Sequence, residues 1–214
     1  MTTTPQTNLW EGPFGDAYQE RNKPDKVEIQ KRKDFMRTIL IHSIYALRGV
    51  FPGSILEIGA GQGPNMCALE EISKDHGIPI SLYATELNQK ARIALSENAK
   101  TVTILDEIPK EPIADLVMTY GVMIHVHPAH IKNLQTQIYN ASKRFIMVCE
   151  YFSPVTRPIP YRGEKDALWL DDYGRLFQEN FNLKIVNYGF AWKPVTGLDN
   201  VTYWVFEKVP EGIV

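Results

Sequence analysis

The sequence predicts a doubly wound α/β fold: a mostly parallel sheet of seven strands with helices on both faces. Three observations predict it. Short apolar runs recur between amphipathic helical stretches, the pattern of strands covered on both sides. The first run, Ser54 to Ile58, ends in a glycine cluster and enters a helix. The last two, Leu183–Trp192 and Val201–Lys208, lie close enough in sequence to pair antiparallel. A length of 214 residues suits one such domain with one large core.

Taken in order, residues 1 to 9 read as a loose polar tail, and Met1 to Asn8 lacks the apolar stretch of a secretion signal. Trp10 to Asn22 then brings Trp10, Phe14, Tyr18 and Arg21 together around turn residues. This segment precedes the first strand, so two roles are open. It is a lid over a ligand crevice, within an N-terminal unit of residues 1–24, or its aromatics staple the terminus to the domain of residues 25–214. Asp25 to about Arg48 predicts a helix with Met36, Ile39, Leu40, Ile44 and Leu47 on its core stripe.

Ser54–Ile58 is the first strand, and Gly59, Gly61 and Gly63 follow it with Ala60 between. Glycines there let the main chain turn sharply and a ligand approach it closely. Pro64 suits a first helical turn, and Gly77 stops that helix. The result is a helix N-terminus facing a crevice, a site for a nucleotide-like ligand. Ser81–Glu86 is the second strand, and Gln89–Ala99 a helix with Ala91, Ala94 and Leu95 inward. Thr101–Leu105, Ala114–Tyr120 and Arg144–Glu150 are strands three to five, with a helix through Ile131, Leu134 and Ile138 before the fifth. Pro154 to Gly163 is proline-rich and reads as irregular; a helix from about Lys165 to Asn180 follows.

A dinucleotide fingerprint requires G-x-G-x-x-G, and Pro64 stands where its third glycine belongs. The pattern present is E-x-G-x-G-x-G, with Glu57 two residues before the first glycine. A second acid, Glu86, lies about 20 residues beyond the loop, followed by Leu87, and is placed to accept bonds from ribose hydroxyls. This pair of features resembles the class I S-adenosylmethionine-dependent methyltransferases. The resemblance implies a Rossmann-like sheet of order 3-2-1-4-5-7-6 with the last strand antiparallel. It implies S-adenosylmethionine as cofactor, held by Glu57, Gly59, Ala60, Gly61, Gly63, Asn65, Glu86 and Leu87.

A closer resemblance spans nearly the whole chain. Phe14-Gly15-Asp16 with Tyr18 and Arg21-Asn22, Leu56 to Ala60 with Gly63, and Gly121-Val122 with Ile124-His125 carry its first half. Glu150 to Pro154, Tyr161-Arg162-Gly163-Glu164 and Tyr188-Gly189-Phe190 carry its second. These stretches resemble the methylases associated with pseudaminic acid biosynthesis, a bacterial nonulosonic sugar pathway. The resemblance implies carbohydrate biosynthesis and an acidic sugar, or its nucleotide-linked form, as acceptor. The sequence departs from that family at Gly61-Gln62 and across Val155 to Pro160, where a substrate would sit.

Methyl transfer from a sulfonium needs an aligned nucleophile and a group to take its proton. Such groups belong at the C-terminal ends of strands four and five. His125 is a candidate base, with packing or capping as its other role. Glu150 is read as base, substrate anchor or partner of Arg162. Tyr120 and Tyr151 are placed to line the sulfonium. Tyr18 and Arg21 belong to the lid, with Arg21 toward the cofactor carboxylate. Asp106 ends the third strand as an adenine contact or a cap. Phe14, Tyr151, Tyr161 and Arg162 are the candidate acceptor contacts; Arg162 clamps a carboxylate or phosphate there, or bridges Glu150 or Glu164.

A net charge of −2 gives no global attraction to nucleic acid or anionic membrane. Lys31-Arg32-Lys33 reads as the wet face of a helix. Cys67 and Cys149 read as buried free thiols, implying a reducing cytoplasm, and no His/Asp/Glu cluster has the spacing of a metal site, with a single magnesium left open. The expected partner is therefore a small-molecule acceptor, with no nucleic acid and no membrane; a homodimer is left open. Competing with this enzyme are a dinucleotide-dependent dehydrogenase, disfavoured by Pro64, and a scaffold that binds S-adenosylmethionine without turnover.

Overall fold

A computed structural model describes residues 4–210. The seven sheet strands are β1 (Ser54–Ile58), β2 (Ser81–Thr85), β3 (Val102–Leu105), β4 (Ala114–Tyr120), β5 (Ser142–Glu150), β6 (Leu183–Ala191) and β7 (Val201–Lys208). Their order is β3-β2-β1-β4-β5-β7-β6, as the sequence resemblance implied. The first five run parallel, while β7 pairs antiparallel with both β5 and β6. The order reverses between β1 and β4, and the crevice above that reversal is where α/β sheets bind ligands.

Alternate side chains of the central strands feed two cores. Ile55, Met118, Phe145 and Met147 point to one, and Leu56, Val117, Ile146 and Val148 to the other. Both faces are covered, which is why these strands read as continuous apolar runs. The first core is closed by α3 (Lys26–Arg37) and α4 (Pro64–His76), the second by α6 (Pro128–Ala141) and α7 (Tyr173–Asn180). Before them come α1 (Pro5–Glu11) and α2 (Pro13–Arg21), and α5 (Gln89–Asn98) follows β2. Cys67 and Cys149 are buried and free.

Four expectations need correction. The N-terminal tail is not loose over 5–11: Thr4 and Thr7 form a reciprocal cap, and Pro5 opens α1. Residues 1–3 lie outside the described residues. The helix of 25–48 is regular only to Arg37, with a π-helical stretch at Thr38–Tyr45. Met36, Ile39, Leu40 and Ile44 are buried as expected, but the wider π turn carries Leu47 out to 51% exposure. The helix expected from Lys165 starts only at Tyr173, because Asp172 caps it by accepting from the Arg175 amide at 2.9 Å. The preceding residues are extended: Trp169–Leu170 pair with Arg157–Pro158, so the proline-rich segment is part of a short two-stranded ladder. β3 also leads into β4 through a loop holding Pro109 and Pro112, with no helix between.

Candidate active site

The glycine loop is pinned to the end of β2. The amides of Gly59 and Ala60 both donate to the Thr85 carbonyl, at 2.8 and 3.0 Å. Gly63 has φ +83°, and a Cβ there would collide with Leu95 of α5. Gly61 has φ +56° and open space where its Cβ would stand, so its backbone borders the crevice. Gly121, after β4, faces open space too.

Glu86 closes this loop from the other side. Its Oε2 accepts from the Gly61 amide at 2.7 Å, and its Oε1 from the Asn88 amide at 2.8 Å. Burial raises its pKa, and these amides pull against that rise. Below it, Glu57 is buried and accepts from Asn65 Nδ2 at 2.6 Å. Burial pushes Glu57 up to about 7, opposed by Asn65 and Arg32.

The N-terminal helices cross this loop. Gln62 Nε2 donates to the Gln19 carbonyl at 2.6 Å. Asn88 Nδ2 donates to Asp16 Oδ1 at 2.9 Å and to the Trp10 carbonyl at 3.2 Å. Trp10 packs on His125 with ring centroids 4.3 Å apart and meets Phe14 and Tyr18 edge-on at 5.3 Å. Phe14 lies 6.1 Å from Tyr161, which lies 5.5 Å from His125. Helices α1 and α2 thus touch the glycine loop, the β2 turn and the segment after β5 together.

His125 stands in that aromatic box. Its Nδ1 is 2.7 Å from the Ala167 carbonyl, which can only accept, so Nδ1 carries the proton and Nε2 keeps a free lone pair. Burial lowers its pKa to about 4, leaving the ring neutral at pH 7. Tyr151 OH donates to Asp199 Oδ2 at 3.2 Å, and burial raises the phenol well above its ordinary value. Tyr18 is raised by burial as well, with Tyr161, Arg32, Asp199 and Glu86 near enough to act on it.

Several candidates fall elsewhere. Glu150 is fully buried, and its carboxylate accepts from the Val122 and Met123 amides at 3.1 Å and the Ile124 amide at 3.4 Å. It caps the turn that carries His125, so it neither faces an acceptor as a base nor meets Arg162. Burial pushes it up to about 7 against those three donors. Arg21 is exposed at the end of α2 and makes no side-chain bond among the described residues. The Asp106 side chain is 96% exposed and pairs with Arg92 at 2.7 Å, turned outward. Arg162 is exposed on a two-residue turn with φ +50°, closed by reciprocal bonds between Tyr161 and Glu164. Its guanidinium is 5.8 Å from the Tyr161 ring, with no ion pair among the described residues.

Arg32, read as part of a wet basic face, turns inward and lies 4.0 Å over the Tyr120 ring. It bonds Glu28 at 2.8 Å; burial works against its charge, yet Tyr120, Glu28 and Glu57 hold its pKa above the ordinary value. One face of Tyr120 is therefore already occupied by a cation. A helical wheel gives no sign of this; the i,i+4 pair of Glu28 and Arg32 was the one legible hint.

No protein-family model matches the chain. A non-reducing polyketide synthase of Talaromyces marneffei is 30% identical over 134 residues, covering 58% of this chain and 5% of the synthase. Among solved structures, magnesium protoporphyrin IX methyltransferase from Synechocystis PCC 6803 with bound SAM aligns at TM-score 0.67 and 11% identity, over 98% of this chain and all of that one. Burkholderia thailandensis 1,6-didemethyltoxoflavin-N1-methyltransferase with S-adenosylhomocysteine aligns at 0.67 and 14%, over 98% and 92%. A Leishmania major SAM-dependent methyltransferase aligns at 0.67 and 18%, over 95% and 87%. At these identities the likeness establishes the fold: a Rossmann-like methyltransferase sheet.

Proposed function

We propose that this protein is an S-adenosylmethionine-dependent methyltransferase acting on a small molecule. The observation that carries this is the Glu86 carboxylate bonded to the Gly61 amide beside open space. We read this as a cradle for a nucleoside, with the acid toward the ribose. Among the buried polar atoms that lack partners among the described residues are Glu57 Oε2, Asn65 Oδ1, Tyr120 OH and Trp10 Nε1. A ligand with an ammonium, hydroxyls and ring nitrogens satisfies such atoms, whereas leaving them unpaired is costly. The residues present therefore fit the cofactor.

In this reading Glu86 accepts the ribose hydroxyls, since each carboxylate oxygen keeps a lone pair beyond its amide bond. Glu57 receives the ammonium and Arg32 the carboxylate of the amino-acid end, the role expected of Arg21 from sequence. The cofactor supplies an electrophilic methyl group on a sulfonium. Trp10, Phe14 and Tyr18 close the crevice and exclude water. His125 Nε2 accepts the acceptor's proton. A neutral imidazole is ready for this at pH 7, and its lowered basicity suffices for a hydroxyl, whose oxygen turns strongly acidic as it is alkylated; an amine would react as its free base and need no such help.

The two neighbours named for their acceptors methylate magnesium protoporphyrin IX and 1,6-didemethyltoxoflavin, and the matched relative is a polyketide synthase. Those acceptors support a small-molecule substrate; none supports an acidic sugar.

Ligand-dependent thermal unfolding tests the reading. A ligand that binds only the native state raises its melting temperature with concentration. S-adenosylmethionine and S-adenosylhomocysteine are expected to raise it and NAD to leave it unmoved. The reverse order would return the dehydrogenase reading.

A further inference from the structure

We propose that the acceptor is a planar, apolar aromatic molecule bearing a hydroxyl or amine, bound in the cavity beside β5, β6 and the short ladder; this rests on the methyltransferase reading above. The cavity measures about 690 Å³, within the size range of small-molecule sites. Phe152, Ile159, Leu168, Leu170 and Phe190 form its apolar wall, and none of its lining side chains is charged. Phe152 and Phe190 are 48% and 57% exposed, a large apolar area to leave in water at a concave place. Aromatic walls favour flat aromatic guests by stacking and edge contacts.

The cavity borders the aromatic box: Tyr161 and Tyr151 line it, and Tyr161 also contacts Phe14 and packs 5.5 Å from His125. The polar side chains lining the cavity are Tyr151, Tyr161, Asn200 and Thr202; Tyr151 bonds Asp199 and Tyr161 packs against His125, so a guest's hydroxyl or amine goes to that side and its carbon skeleton lies against the apolar wall. An anionic acceptor has no such place. A carboxylate or phosphate in this cavity would lose its hydration with no cation to replace it. Arg162, which prompted the anionic expectation, sits outside on its exposed turn.

Titration calorimetry with 2-naphthol and with glucuronic acid, each with and without S-adenosylhomocysteine, tests the assignment. Saturable binding of 2-naphthol is expected, tightened by S-adenosylhomocysteine, with no heat from glucuronic acid. Phe190→Asp, at an exposed position, is expected to weaken 2-naphthol about tenfold while keeping S-adenosylhomocysteine affinity. Arg162→Ala is expected to leave 2-naphthol affinity unchanged. Glucuronic acid binding that depends on Arg162, or 2-naphthol binding indifferent to Phe190→Asp, overturns the proposal. So does light scattering that finds a dimer split by Phe190→Asp with no 2-naphthol bound, which gives the surface to a second copy. If 2-naphthol binds and S-adenosylhomocysteine does not, the methyltransferase reading fails and the acceptor assignment falls with it.

Discussion

The Gln62 side chain, inside the glycine loop, donates to the main-chain carbonyl of Gln19, in the second helix of the chain, at 2.6 Å. Both residues are buried, and Asn98 Nδ2 holds the Gln62 carbonyl from the other side at 3.0 Å. The glycine loop, α2 and α5 are thus one hydrogen-bonded unit. Gln62→Ala leaves the Gln19 carbonyl with only the Asn22 amide, at 3.3 Å, and loses a hydrogen bond worth about 0.5–1.5 kcal/mol. We expect weaker S-adenosylhomocysteine binding and faster proteolytic cleavage between residues 12 and 24. Cleavage at the wild-type rate would show that the bond does not hold the lid.

Arg32→Met keeps the alkyl stem of the side chain and removes its charge over Tyr120. Cofactor affinity is expected to fall by about 1.5–3 kcal/mol, the range for hydrogen bonds to charged groups. Calorimetry checks this. Unchanged affinity in a folded variant would take Arg32 out of the site and return the carboxylate to another donor.

Glu150 links stability to pH. Its folded pKa, about 7, lies above the ordinary carboxylate value of 4.5, so the folded state binds more protons between those limits. Its contribution is therefore complete below about pH 4.5 and is lost as pH rises through about 7, by up to about 3 kcal/mol. Glu150→Gln removes that term, so the difference in unfolding free energy between wild type and variant should shrink from pH 5 to pH 8. Denaturant unfolding at each pH measures it, and a constant difference would contradict the account.

His125 acts in the opposite sense. Its folded pKa, about 4, lies below the ordinary 6.5. Its neutral burial stabilises the fold above about pH 6.5, and that stabilisation is lost as pH falls toward 4. If Nε2 is the proton acceptor, wild-type kcat should show no histidine inflection between pH 6 and 8, and should fall only well below pH 6. His125→Ala should lower kcat about 10²–10⁴-fold with little change in cofactor affinity. A full-rate variant would leave His125 as packing alone.

The fold was legible where the signal was local. β1 and β4 end where their apolar runs end, and Gly63 takes φ +83°, a conformation that favours glycine. The first helix was legible too and was missed: Thr4, Pro5 and Thr7 spell a capped helix start, hidden by the polar composition around them. The site was harder, because side-chain direction is a tertiary property. Glu150 ends a strand beside the crevice, yet three amides in the turn after β4 draw it inward. Arg32 and Lys33 are neighbours in one basic run; Lys33 lies across α4 and pairs with Glu71 and Asp75, while Arg32 lies over the Tyr120 ring. Asp106 occupies the expected strand end and points at Arg92. Nothing in the spacing of these residues separates the two directions.

Titration of S-adenosylhomocysteine into the wild type and into Glu86→Ala tests the central claim most directly. The account predicts a single site per chain in the wild type, no competition from NAD, and a loss of about 1.5–3 kcal/mol in a variant that stays folded. No heat in the wild type, or equal affinity in Glu86→Ala, would contradict it.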